Sequence, residues 1–193
     1  MSKQIILASS SPYRQMLLKK IIPNFKTFSP NIDETPLDNE QPTSLVQRLA
    51  KEKAIRTFQE MDLRNGIYIA SDQIALFNNQ ILGKPLTYGN AEKQLALFSG
   101  NSVTFLTSLY ITDSQKSYEI VDKTVVYFKK LSGQEISHYI QREKPLNCAG
   151  SFKSEGLGIA LFDKIETSDP NALIGLPLIA VVKLLNKLNY KIL

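Results

Sequence analysis

Three serines and an arginine are gathered in Leu7-Ala8-Ser9-Ser10-Ser11-Pro12-Tyr13-Arg14, at the end of the apolar run Ile5 to Leu7. A strand running into a helix is the expected layout. Pro12 suits the first helical position and Ser11 the N-cap, so the free N–H groups of the helix start face whatever precedes it. Such an end attracts phosphate. Ser9 and Ser11 can hold phosphate oxygens there, and plain N-capping is the other reading of the serines. The helix dipole disfavours a cation in the first turn, so Arg14 makes better sense with an anionic ligand, onto which its guanidinium can fork. The chain lacks Gly-x-x-x-x-Gly-Lys-Ser/Thr, which excludes a Walker-type phosphate loop.

The second chemical feature is Ser71-Asp72-Gln73, at the end of the apolar run Ile67 to Ala70. A lone carboxylate ending a buried strand is costly unless it meets a metal, a water or a cation. Asp72 is therefore expected to face a cleft, with capping of the following turn as the other local reading. A single histidine, His138, removes multi-His zinc sites. It lies in the amphipathic stretch Gln134 to Arg142 and reads as an ordinary helical residue, not as part of a Ser-His-Asp relay. The single cysteine, Cys148, cannot form an intrachain disulfide, in keeping with a reducing compartment.

Around these residues the pattern alternates strand and helix. A strand near Phe25 to Ser29 precedes a loop with Asp33-Glu34-Thr35-Pro36, then a helix from about Pro42 to Phe58 striped by Leu45, Leu49, Ala50 and Ala54. After the strand Ile67 to Ala70, Asn78-Asn79 reads as a hairpin turn returning through Ile81-Leu82 to Gly83-Lys84-Pro85. A helix over Asn90 to Phe98 follows. Two long strands, Ser102 to Thr112 and Glu119 to Lys129, flank a polar turn from Asp113 to Lys116. The last third offers a helix near Gly133 to Arg142, a Gly/Ser-rich stretch Ala149 to Gly158, a strand Ile159 to Phe162 and a closing helix Pro177 to Lys187. The class expected is α/β with a mixed sheet and flanking helices, in a single domain over residues 1–193.

Composition is that of an ordinary soluble globular chain, with 43% hydrophobic and 21% charged residues, and it excludes disorder. No apolar run reaches the length of a membrane span, and the start is too short for a signal-peptide core, so a cytoplasmic protein is expected. The net charge of +5, from 23 basic and 18 acidic residues with no dense Lys/Arg block, fits small anionic ligands at least as well as nucleic acid.

Four segments in order, Leu7-Ala8-Ser9-Ser10-Ser11-Pro12, Asp33-Glu34-Thr35-Pro36, Ser71-Asp72-Gln73 with Ile81-Leu82-Gly83-Lys84-Pro85, and Gly175-Leu176-Pro177-Leu178, resemble the Maf family of nucleotide pyrophosphatases. Cys148-Ala149-Gly150-Ser151-Phe152-Lys153-Ser154-Glu155-Gly156 and Asp169-Pro170-Asn171-Ala172-Leu173 look like its branch acting on 7-methyl-GTP. The resemblance implies cleavage between the α and β phosphates of a nucleoside triphosphate, with a divalent metal, Mg²⁺ or Mn²⁺. It implies an elongated Maf/ITPase-like fold with two lobes around a central cleft, often a homodimer. Asp72 then activates the attacking water, Glu34 joins it as second carboxylate and metal ligand, and Lys53 and Lys84 spread the negative charge of the triphosphate. Ser9, Ser11 and Arg14 hold phosphate oxygens.

Family members taking unmodified pyrimidine triphosphates have Arg, Thr and Gln where this chain has Tyr13, Gln73 and Glu155. The 7-methylguanine ring is cationic, so an aromatic face and a carboxylate favour it, and Tyr13 and Glu155 supply that pair. Without the resemblance, Tyr13 is a helix-surface aromatic and Glu155 a loop charge. The alternatives are a pyrophosphatase of the same family preferring dTTP, UTP or another modified nucleotide, a catalytically silent nucleotide-binding regulator, and a nucleic-acid binder supported only by the mild positive charge.

Overall fold

The computed structural model describes residues 3–61, 63, 65–113 and 115–193. Along the chain these form β1 (Gln4–Ala8), α1 (Pro12–Lys19), β2 (Lys26–Phe28), α2 (Pro42–Met61), β3 (Gly66–Phe77), β4 (Gln80–Leu82) and α3 (Tyr88–Phe98). There follow β5 (Ser102–Thr112), β6 (Ser117–Phe128), α4 (Gly133–Glu143), β7 (Phe162–Glu166) and α5 (Leu178–Lys187). The strands form one mixed sheet of order β2-β1-β3-β5-β6-β7, with β4 paired to β3. The α/β class with a mixed sheet is as expected. The chain divides into two compact units, Met1–Asp72 with Thr107–Asp122 and Asp169–Leu193, and Gln73–Leu106 with Lys123–Ser168.

In the first unit β1 pairs in parallel with β2 (Leu7 opposite Thr27) and with β3 (Leu7 opposite Ile69). A parallel strand covered on both faces is apolar throughout, and four of the five β1 residues are buried. Alternate side chains go to opposite faces. Ile5, Leu7, Ile67 and Ile69 pack with Leu17 and Leu18 of α1 and with Leu178, Val181, Leu184 and Leu185 of α5. Ala8 and Ala70 instead join Tyr110 and the Ala50/Ala54 stripe of α2. These small residues let the α2 backbone come close to the sheet, which decides what a side chain at position 53 can reach.

The second unit has an aromatic core. Phe77, Phe98, Phe105, Phe128, Phe152 and Phe162 touch edge-on or tilted, with ring centroids 4.8 to 5.6 Å apart. Each pair is worth about 0.5–1.5 kcal/mol beyond the area it buries. Asn78 and Asn79 form the expected hairpin turn, with φ of 49° and 63°, values that asparagine tolerates. His138 is exposed on α4, whose buried side carries Ile136, Tyr139 and Ile140.

Helix α2 runs three residues past the expected Phe58, α3 and β6 each start two residues early, and two strand boundaries differ more. β3 does not stop at Ala70 but continues to Phe77, because β4 gives its far half a partner: Ala75 lies opposite Leu82 and Leu76 opposite Ile81. Asp72 is thus inside a strand and not at its end. Residues Leu157–Leu161 form a 3-10 turn, and the strand begins at Phe162, where pairing with β6 places Ile165 opposite Val126. The turn between β5 and β6 lies partly outside the described residues, at Ser114; its flanks are joined by the Asp113 N–H donating to the Lys116 carbonyl at 3.0 Å.

Candidate active site

Strand parity places the carboxylate. Tyr68, Ala70 and Asp72 share the face of β3 that meets α2, while Ile67, Ile69 and Ser71 share the other. On α2, Lys53 directly precedes the buried Ala54 and sits three residues after the buried Ala50, so its side chain emerges beside the stripe that packs on Ala70. Its ammonium lies 2.6 Å from Asp72 Oδ1 and 2.6 Å from Glu34 Oε1. Lys53 and Asp72 are 11% and 10% exposed as side chains, whereas Glu34 is 59% exposed. One cation thus gathers a buried and a solvated carboxylate. The sequence reading brought Glu34, Lys53 and Asp72 to one place without anticipating that the lysine bridges the other two.

Arg14 belongs to the same charge cluster. Burial holds its pKa below the ordinary arginine value, and the charges of Asp72 and Glu34 oppose that shift. Its Nε donates to the Gly175 carbonyl at 3.0 Å. The same oxygen accepts from Ser71 Oγ at 2.8 Å, on the opposite face of β3 from Asp72. Gly175 has φ +121°, a conformation side chains rarely adopt, and a Cβ there would stand 3.4 Å from Arg14 Nε. The loop carrying this carbonyl is fixed by Asp169, whose Oδ2 accepts from the Ile179 N–H at 2.6 Å in the first turn of α5, and by Thr107 Oγ1, which donates to the Ala172 carbonyl. At the mouth of α1, Ser11 is the N-cap and accepts from the Arg14 N–H, while its own N–H donates at 3.1 Å to the buried Ser9 Oγ.

Sequence reasoning missed the residue that holds the Glu34 loop. Arg48 of α2 forks onto Glu40 (Nε to Oε1 2.7 Å, Nη2 to Oε2 2.9 Å), donates to the Thr35 carbonyl at 3.0 Å, and meets Glu52 one helical turn on. Glu40 in turn accepts from the Leu37 N–H at 3.0 Å, and Asp33 Oδ1 from the Thr35 N–H at 2.9 Å. The Arg48 guanidinium pulls the Glu40 carboxyl down to about 2. The only sequence signal was the Arg48/Glu52 spacing, which is common on exposed helices.

Tyr13 is half-buried on α1. The remaining assigned residues lie in the second unit. Gln73 follows Asp72 on β3 and is half-buried, and Glu155 is exposed in the loop after Phe152. Lys84 is exposed between braced neighbours: the Gly83 carbonyl accepts from Gln94 Nε2 and the Pro85 carbonyl from Asn90 Nδ2, both at 3.0 Å.

The donor set suits a hard divalent cation. Mg²⁺ is commonly held by one or two carboxylates with water and substrate phosphates completing the shell. Glu34 and Asp72, each bonded to one ammonium, are such a pair, and among the described residues no third His, Cys, Asp or Glu joins them.

The Maf-like protein profile matches residues 4–188. A protein named 7-methyl-GTP pyrophosphatase from Pseudoalteromonas translucida is 54% identical over 187 residues, covering 96% of this chain and 92% of its own length. One of the same name from Colwellia psychrerythraea is 49% identical over 187 residues with the same coverages. Among solved structures, the Staphylococcus aureus Ham1 protein overlaps 81% of this chain and 90% of its own, at 16% identity and TM-score 0.45. Among the described residues no helix is long and apolar enough to cross a membrane.

Proposed function

The chain belongs to the Maf-like protein family, and from that premise we propose that it hydrolyses 7-methyl-GTP to 7-methyl-GMP and pyrophosphate, removing a modified nucleotide from the cytoplasmic pool. The observation that carries the chemistry is the Glu34–Lys53–Asp72 bridge, a carboxylate pair held in place by a cation beside Arg14.

In this reading Asp72 takes a proton from the attacking water as its oxygen bonds to the α phosphorus, and the bond from that phosphorus to the oxygen bridging toward the β phosphorus breaks. The electron pair leaves with pyrophosphate. Lys53 keeps Asp72 oriented and, with Arg14 and Lys84, balances the charge that develops on the phosphate oxygens. Ser9 and Ser11 orient those oxygens at the start of α1. Glu34 and Asp72 would hold a divalent cation, Mg²⁺ or Mn²⁺, which when bound supplies charge neutralisation on the phosphates and acidifies coordinated water. For the base, Tyr13 offers its ring to the cationic purine and Glu155 its negative charge, with Gln73 as the third selecting residue.

The test is incubation of 7-methyl-GTP with the protein and Mg²⁺, with Asp72→Asn in parallel. Monophosphate plus pyrophosphate from the wild type and loss of at least about a hundredfold in the variant support the assignment. Orthophosphate as the product would mean that a different bond is cut.

A further inference from the structure

The loop that carries Glu155 is closed around one residue and tied to the end of one helix. The Lys153 carbonyl accepts from the N–H groups of Gly156 and Gly158 at 3.2 and 3.1 Å, so the chain doubles back within six residues. It approaches itself so closely that a Cβ on Gly158 would lie 2.3 Å from that carbonyl oxygen. The Lys153 N–H donates to the Tyr139 hydroxyl at 2.9 Å, and the Lys153 ammonium to the Glu143 carbonyl at 2.6 Å. Glu143 Oε1 accepts from the Leu157 N–H at 3.1 Å, two residues past Glu155. Both anchors stand on α4, which is fixed at its start by a Ser132/Glu135 capping box and at its end by Lys144 in the left-handed conformation.

A carboxylate in the last turn of a helix is opposed by the helix dipole. Glu143 holds that position, and the loop amide and the Lys153 ammonium 3.8 Å away are its compensation. Tyr139 is 2% exposed, and burial, with the charges of Glu143 and Glu155 among its neighbours, raises its hydroxyl pKa, so it stays a neutral acceptor for Lys153.

We propose that Glu143 and Tyr139 are positioning residues for base selection: they hold the 153–158 loop in one conformation, so that Glu155 is presented to the cationic purine already ordered. The proposal rests on the assignment of Glu155 to the base. A charge that must first be immobilised loses part of its interaction to ordering, so a pre-set loop widens the gap between a cationic and a neutral base.

The experiment measures kcat/KM for 7-methyl-GTP and for GTP in the wild type, Glu143→Ala, Glu143→Gln, Tyr139→Phe and Glu155→Gln, with hydrogen exchange at the Leu157 amide. Glu143→Ala is expected to lower the 7-methyl-GTP to GTP ratio by about tenfold, the factor that about 1.4 kcal/mol represents, through KM and not kcat. Leu157 exchange should accelerate. Glu143→Gln keeps an acceptor oxygen and should restore most of the ratio. Tyr139→Phe should lower it as well, which keeps the test open if the alanine variant does not fold. A ratio unchanged in Glu143→Ala but collapsed in Glu155→Gln overturns the positioning role and leaves the base assignment intact. No change in Glu155→Gln overturns both. Equal losses in the alanine and glutamine variants would make Glu143 a direct charge and not a positioner.

Discussion

Replacing Lys53 by methionine removes a cation that bonds to both carboxylates and keeps the side-chain stem that emerges beside the α2 stripe. The Lys53–Asp72 half of the bridge is about nine-tenths buried, where losing one partner of an ion pair costs about 3–5 kcal/mol because the other charge is left uncompensated. Arg14 also acts on Asp72, which places the expected cost near the lower end, about 3 kcal/mol. For a chain of this length that corresponds to a melting temperature lower by roughly 6–12 °C. The Glu34 half is 59% exposed, so Glu34→Gln should change stability by less than about 1 kcal/mol while still impairing pyrophosphate release. The decisive comparison is the double variant Lys53→Met/Asp72→Asn. With the stranded carboxylate neutralised, it should recover about 1–2 kcal/mol relative to Lys53→Met alone, measured by urea denaturation. Strictly additive losses, or a Lys53→Met protein as stable as the wild type, would refute the claim that this lysine exists to compensate Asp72.

Arg48→Ala frees the loop around Glu34 and should cut turnover by about tenfold, the equivalent of roughly 1.4 kcal/mol, with Asp72 and Lys53 intact; initial rates of pyrophosphate release check this. Gly175→Ala forces a side chain into φ +121° beside Arg14, and a loss of about 1–3 kcal/mol in denaturant unfolding is expected. Tyr13→Arg should lower turnover of 7-methyl-GTP relative to UTP, since a cation repels the methylated ring; equal losses on both substrates would count against the role of Tyr13. The Glu40 carboxyl is held at about 2, below its ordinary value of 4.5, so its contribution to stability is complete above pH 4.5 and is lost as pH falls through about 2. The stability gap between wild type and Glu40→Gln should narrow across that window in urea titrations at stepped pH.

Much of the first unit was legible because its signals are local. Ser11 and Pro12 announce the start of α1 and the Leu45/Leu49/Ala50/Ala54 stripe announces α2, and in the second unit Asn78-Asn79 announces the hairpin just as locally. The grouping of Glu34, Lys53 and Asp72 came from the family resemblance. What stayed hidden depends on partners distant in sequence. Asp72 looked like a strand terminus because Ser-Asp-Gln interrupts an apolar run, yet pairing with β4 carries the strand through it. Ile159 to Phe162 has strand-like composition, but Gly156 and Gly158 fold back onto Lys153 and move the strand start to Phe162. The phenylalanine core of the second unit draws on residues from 77 to 162 and has no periodicity to reveal it. The Gly175 carbonyl, serving both Ser71 and Arg14, is a backbone atom that residue types cannot announce.

The alternation of side chains along β3 has a bearing on how this segment can vary. Exchanging one apolar residue for another between Ile67 and Ala70 alters packing by degrees, whereas inserting or deleting a single residue there rotates everything downstream by half a turn. Ser71 would then take the face now held by Asp72, and the carboxylate would point to the face packed beneath α5, away from Lys53. The segment is therefore permissive toward changes of letter and intolerant of changes of length.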